Sequence, residues 1–337
     1  MSKYLKYSDV NLVPNFSIVR SRSDCDVSKE IGGKKFKLPV IPSNMKSVID
    51  VRHCKWMSDN DYFYIMHRFD VDIQKFIEEA NEENWKTISI SLGVKGADKD
   101  IIKSIRNSKS RVDYITIDIA HGHCESMKEM IEICKSSLEN VCIIAGNVAK
   151  PEAVADLSAW GADYVKVGIG QGSPCTTKDK TGFTIPMFTC VESCSKVLFD
   201  KDDGFMFSNA SLKEDYKLPE KVKIIADGGV CCNGDAAKAL VAGADLVMAG
   251  GLFACCSDSP SHSIEINGTP HKAYYGSASF ENKKTRAHIE GTLRNIPSCG
   301  MNFKTKLIEI DEDLKSAVSY SGGKNLLSLQ DVKYIKV

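Results

Sequence analysis

Short apolar runs recur along this chain at a nearly constant interval, and that interval limits the possible folds more than any other property. The runs are PVIPSNM (Pro39 to Met45), YFYIMHR (Tyr62 to Arg68), ISISLG (Ile88 to Gly93), YITIDIA (Tyr114 to Ala120), VCIIAGN (Val141 to Asn147), YVKVGIG (Tyr164 to Gly170), IIADGGV (Ile224 to Val230) and LVMAGGLF (Leu246 to Phe253). The first six begin at 39, 62, 88, 114, 141 and 164, and the last two begin at 224 and 246. One strand, one turn and one helix fill each interval. The intervening VDIQKFIEEANEE, CESMKEMIEICKSSL, KPEAVADLSAWG and NGDAAKALVAGA carry apolar residues at helical spacing, and Gly161 and Gly243 stand where C-caps are expected. Eight alternating units with continuously apolar strands predict an α/β fold, a closed (β/α)8 TIM barrel, as one domain over residues 1–337. A polar leader (1–38) is expected to be extended. The long sixth interval predicts an insertion at 200–218. A hairpin turning at Asn267-Gly268 and a polar flap (281–303) follow the last strand, and IDEDLKSAVSYSGG reads as a terminal helix.

Barrels place their chemistry at the C-terminal strand ends. Here those ends are polar or glycine-rich: Asn44-Met45, His67-Arg68, Asp118 to His121, Gly146-Asn147, Asp227 to Gly229 and Gly250-Gly251. The sixth end is the most pointed, because Gly168, Gly170 and Gly172 lead into Cys175, followed by Thr176 and Thr177. Glycines at this density let the backbone approach a ligand, and a thiol beside a hydroxyl is a candidate nucleophile. A free cysteine is more commonly a small buried hydrophobe, and the chain has thirteen, so the loop needs its frame to carry the argument. Gly228-Gly229 and Gly250-Gly251 supply part of that frame. Backbone N–H groups after strands seven and eight are suited to a phosphate, and Asp227 beside them is suited to ribose hydroxyls. A nucleoside monophosphate with its base directed toward Cys175 accounts for both.

Lys plus Arg and Asp plus Glu both number 44, with basic residues scattered, so a nucleic-acid partner is not expected. No run approaches the roughly 18 apolar residues of a membrane span, and the start MSKYLKYSDV lacks a secretory pattern. A soluble, cytoplasmic protein with reduced thiols is expected. His121, His123 and Cys124 cluster, but no second pair at finger spacing accompanies them, so no structural zinc is expected.

Taken together, VGIGQGSPCTT, IIADGGV, MAGGLF, YYGSAS, SNM, YFYIMHRF and IDIAHGH resemble the inosine-monophosphate dehydrogenase and guanosine-monophosphate reductase family over nearly the whole chain. The resemblance implies a cysteine attacking C2 of a purine ring to form a covalent thioimidate, with a nicotinamide cofactor exchanging hydride there. Only 19 residues, 69 to 87, separate the second and third runs, too few for the dehydrogenase's regulatory domain pair. No Arg-Tyr pair follows the hairpin, and HIEG places Glu290 where the reductases have a glutamate partnering the second threonine after the cysteine. The resemblance therefore implies the reductase branch: NADPH-dependent reductive deamination of GMP to IMP and ammonia. A dehydrogenase stripped of its regulatory pair, or a catalytically silent purine-nucleotide-binding protein, are the alternatives.

The resemblance also assigns residues. Cys175, Thr177 and Glu290 are implied to be catalytic. Asp227, Gly228, Gly229, Gly250, Gly251, Gly276, Ser277 and Gly291 are implied to bind substrate. Ser21, Arg22, Arg68, Asp118, Ala120, Asn147 and Gly168 are implied to meet the cofactor, Ser21 and Arg22 from a neighbouring subunit of a homotetramer. Backbone groups of Gly168, Gly170 and Cys175 are implied to hold potassium. Gln171 and Pro174 replace the family's usual proline and small aliphatic residue.

Overall fold

The computed structural model describes residues 4–196, 222–284 and 287–337, so the expected 200–218 insertion lies outside the described residues. Seven parallel strands form one sheet in the spatial order Val40–Pro42, Leu246–Ala249, Lys223–Asp227, Tyr164–Val167, Cys142–Val148, Tyr114–Asp118, Ser89–Leu92. The remaining run lies at the gap between the two ends of that order. Phe63 to Met66 is buried throughout, but it joins Ser89–Leu92 only by a single bridge, Met66 to Ile90. The Met66 carbonyl is taken by Ser91 Oγ at 2.6 Å, a side chain standing in for a ladder bond. All eight predicted runs thus take barrel positions, the second as a minimal strand.

Period-two alternation sorts each run into an inner and an outer row. Ile41, Phe63, Ile65, Tyr114, Ile144, Tyr164, Ile225, Leu246 and Met248 form the inner cluster. Their neighbours Tyr64, Ile115, Ile143, Val165, Ile224 and Val247 pack outward against the helices. Continuing the inner row up three strands gives Asp118 (after Tyr114 and Thr116), Lys166 (after Tyr164) and Asp227 (after Ile225). The alternation that fills the barrel with apolar side chains therefore delivers three charges to its C-terminal mouth.

The predicted helices appear as Ile73–Glu82, Glu125–Ser137, Pro151–Trp160 and Asn233–Val241, with Val51–Asp59, Gly96–Ser108 and Met187–Ser195 as three further helices. Pro151 opens its helix at a position where no N–H is needed, and Gly161 closes it with φ +116°. The terminal helix runs Phe303–Tyr320, starting seven residues before the expected segment. Asn302 caps it through Thr305 N at 2.8 Å.

Two regions differ from expectation. The leader is more structured than an extended segment: Val10–Leu12 pairs with Tyr334–Lys336, and Lys29–Ile31 pairs with Lys34–Phe36. Gly32 and Gly33 allow that second turn with φ +54° and +81°. Ile31 and Phe36 join the inner cluster, and Tyr114 Oη donates to the Ile31 carbonyl at 2.6 Å, so the hairpin stoppers the barrel end opposite the mouth. The expected Ser263–Ile266 and Thr269–Tyr275 hairpin is present, but it gains Leu293–Pro297 as a third strand from the flap segment. Among the described residues no helix is long and apolar enough to cross a membrane.

Candidate active site

The barrel mouth holds a cavity of about 690 Å³, and most of the residues singled out from the sequence line it. Its floor is ionic. Lys166 Nζ, on a side chain 2 % exposed, lies 2.6 Å from Asp118 Oδ1 and 3.1 Å from Asp227 Oδ2. Asn147 Nδ2 donates to Asp227 Oδ2 at 2.8 Å and to the Gly168 carbonyl at 2.9 Å, while Asn44 Nδ2 donates to Asp118 Oδ2 at 3.2 Å. Burial disfavours both charges of the Asp118–Lys166 pair. For Lys166 the attraction of Asp118, then Asp227, outweighs burial and raises its pKa. For Asp118, Lys166 and then Arg68 outweigh burial and hold the carboxyl below its ordinary range. Lys166 was not singled out from the sequence. Its signal was a lysine inside the β-branched run YVKV, at an inward position of a buried strand.

Above the floor, two loops meet. Cys175 bridges Gly291 in antiparallel fashion, with Thr176 N donating to the Glu290 carbonyl at 2.9 Å and Thr292 N to the Pro174 carbonyl at 2.9 Å. This pairing aligns a relay: Cys175 Sγ donates to Thr177 Oγ1 at 3.2 Å, and Thr177 Oγ1 donates to Glu290 Oε2 at 2.7 Å. Thr177 and Glu290 are 113 residues apart in the chain. Lys180 ties the loops again through the Ile289 carbonyl. A thiol whose proton has a path to a carboxylate can act as a nucleophile, and the carboxylic acid so formed can return that proton to a leaving group.

Two of the glycines allow the close packing of the cavity wall. Gly168 takes φ +131°, and a side chain there would collide with the Asp227 carbonyl. Gly250 lies against the Tyr274 hydroxyl, which would collide with any Cβ. Gly228, Gly229, Gly251, Gly276, Ser277 and Gly291 also line the cavity, as do Gly170 and Ala120. Arg68 lines it too; its NH2 group reaches the Asp118 carbonyl at 3.3 Å, while its buried Nε has no partner among the described residues. Such an orphaned cationic N–H fits a polar or anionic ligand group. Ser21 and Arg22 are not brought to this cavity. The Arg22 guanidinium donates to Ser316 Oγ at 3.1 Å and Tyr320 Oη at 3.3 Å, on the terminal helix. His123 pairs with Asp156 at 2.7 Å, and no metal-holding cluster of three ligands occurs among the described residues.

A family model described as the IMP dehydrogenase / GMP reductase domain matches residues 4–337. The chain is 44 % identical to a GMP reductase of Acidovorax ebreus over 329 residues, covering 98 % of this chain and 94 % of that one. It is 45 % identical to a GMP reductase of Leptothrix cholodnii, with the same coverage. It is 41 % identical to a GMP reductase of Staphylococcus aureus over 337 residues, covering 99 % of this chain and 97 % of that one.

Proposed function

The chain belongs to the IMP dehydrogenase and GMP reductase family, and from that premise we propose that it is a GMP reductase, converting GMP to IMP and ammonia. The observation carrying this reading is the Cys175–Thr177–Glu290 relay, a proton path that a deamination needs. Cys175 adds to C2 of the guanine ring while its proton passes through Thr177 to Glu290. The return of that proton lets the exocyclic amine leave as ammonia, because neutral ammonia departs far more readily than an amide anion. A thioimidate to Cys175 remains, and its sulfur is expelled when IMP forms. NADPH, when bound, supplies the hydride to C2.

Each subsite has a role in this reading. Gly228, Gly229, Gly250, Gly251, Gly276 and Ser277 would hold the phosphate with backbone and hydroxyl donors, Asp227 the ribose hydroxyls, and Gly291 the flap edge over the base. Asp118, Ala120, Asn147, Gly168 and Arg68 would meet the nicotinamide half, and the orphaned Arg68 Nε supports that fit. Ser21 and Arg22 would select the adenosine phosphate of NADPH only by reaching a neighbouring cavity within a homotetramer. The carbonyls of Gly168, Gly170 and Cys175 offer the hard oxygen donors that an alkali cation such as potassium prefers. A cytoplasmic location fits these ligands.

The test is an absorbance assay at the nicotinamide band. GMP with NADPH should lose reduced cofactor, and IMP with NAD should produce none. The reverse pattern would make the chain a dehydrogenase, and silence in both would make it a binding protein.

A further inference from the structure

Beside the catalytic cavity lies a second set of thiols that the relay does not use. Cys255 lines the cavity directly after the short helix Gly251–Ala254, whose first residue belongs to the proposed phosphate subsite. Cys299 follows the third strand of the flap sheet, Leu293–Pro297, and its N–H donates to the Cys255 carbonyl at 3.0 Å. Ser298 Oγ donates to the same carbonyl at 3.2 Å, and Ser257 N donates to the Met301 carbonyl at 2.8 Å, so the two segments are held side by side on both sides of the pair. A direct backbone hydrogen bond keeps two Cα atoms within the separation a disulfide spans. Both cysteines are half-buried, so each is reachable without unfolding.

The surroundings favour the thiolate at one of the two. The Cys255 thiol is lowered, first by its hydrogen bond with Cys256 and against burial, then by Cys299 and the Lys306 ammonium. Cys256, fully buried beside it, is pushed up and stays a thiol. Cys299 is raised by burial, so it is the weaker nucleophile of the pair and the natural second partner.

We propose that Cys255 and Cys299 form a hydroperoxide-reactive thiol pair on the cavity wall, distinct from Cys175, whose product is a reversible disulfide. The Cys255 thiolate attacks the terminal oxygen of a hydroperoxide. An S–O bond forms, the O–O bond breaks, sulfur is oxidised to a sulfenic acid, and the leaving oxygen takes a proton from solvent, so the peroxide is reduced to an alcohol, or to water when the probe is hydrogen peroxide. Cys299 sulfur then attacks that sulfenic sulfur. The S–S bond forms, the S–O bond breaks, and the released hydroxide takes the Cys299 proton as a second product water. Two thiols and one peroxide thus give one disulfide, and a dithiol restores both thiols. Cys255→Cys256 closure is disfavoured, because adjacent residues rarely meet disulfide geometry.

Because Cys255 faces the cavity, GMP should shield it; this clause alone rests on the proposed function, and the oxidation itself is measured without nucleotide. The full-length Cys175→Ser variant, which silences the catalytic thiol, is treated with hydrogen peroxide in stoichiometric steps. Remaining thiols are alkylated, and linked peptides are mapped by mass spectrometry. The expected result is a Cys255–Cys299 crosslink as the earliest disulfide, removed by dithiothreitol. A further Cys299→Ser substitution should abolish the crosslink and leave Cys255 labelled by a sulfenic-acid trap, and Cys299→Ala serves if the serine variant does not fold. Saturating GMP should slow the crosslink at least about threefold. Cys255 remaining alkylatable while the exposed Cys231 and Cys232 oxidise would overturn the proposal, as would a Cys255–Cys256 product. An unchanged rate with GMP, despite measured GMP binding, would overturn the cavity-facing part.

Discussion

The floor and the relay of the cavity are built differently, and the difference separates binding from chemistry. Asp118, Lys166 and Asp227 sit on three barrel strands, those of Lys166 and Asp227 adjacent and that of Asp118 one strand further along beyond Cys142–Val148, all fixed by ladder hydrogen bonds and buried on both faces. Cys175, Thr177 and Glu290 come from two loops that meet through one isolated bridge and a few backbone bonds. The floor should therefore set ligand geometry and contribute to stability, whereas the relay should contribute to rate and little to folding. Substitutions can break that contrast.

Cys175→Ala should have the largest effect on rate. Turnover should fall by at least about 10³-fold, as expected on losing a nucleophile, while GMP affinity by calorimetry stays within a few-fold and the melting temperature hardly moves. Substantial residual activity would remove Cys175 from the relay. Glu290→Gln should slow deamination by about 10²-fold or more. Rapid-quench separation of ammonia release from cofactor oxidation should show the loss concentrated in the first step, and equal losses in both would contradict the proton-return role.

Lys166→Met should show the opposite balance. Removing one partner of a buried charged set costs about 3 kcal/mol or more, so the melting temperature should drop clearly and ligand affinity should fall. The pH dependence adds a sign. Lys166 holds the Asp118 carboxyl low against burial, so without it burial dominates and the Asp118 pKa rises. Ligand affinity in the variant should then weaken as pH falls from about 8 toward 6, while the unsubstituted protein stays flat there, and Lys166→Arg should restore part of both. A variant that loses rate but neither stability nor acid tolerance would place Lys166 in the chemistry instead. Arg22→Ala should have the smallest effect: the preference for NADPH over NADH should drop by about tenfold, near 1.4 kcal/mol, with unchanged activity on NADH. Equal use of both cofactors by the unsubstituted protein would remove the role of Arg22 and Ser21.

How much of this was legible in the sequence follows from how local each signal is. Barrel strands buried on both faces must be continuously apolar, so YITIDIA and VCIIAGN declare themselves without help from distant residues. The same holds for Cys175, whose glycine approach lies in its own loop. Lys166 was hidden because a single lysine in an apolar run has meaning only once Asp118 and Asp227 stand beside it, 48 and 61 positions away. The Lys29–Ile31 hairpin went unseen because its burial comes from Tyr114, and the Leu293–Pro297 strand because its partner had already formed a hairpin. Nothing in the sequence relates Cys255 to Cys299 among the thirteen thiols, and one backbone hydrogen bond joins them in the fold.

The central claim is a covalent bond between Cys175 and purine C2, and acid-quenched turnover with GMP and NADPH, followed by peptide mass spectrometry, addresses it directly. The account predicts a purine-nucleotide adduct on the peptide containing Cys175, absent from Cys175→Ala. Steady conversion of GMP to IMP with no adduct on that peptide, and undiminished conversion by Cys175→Ala, would contradict it.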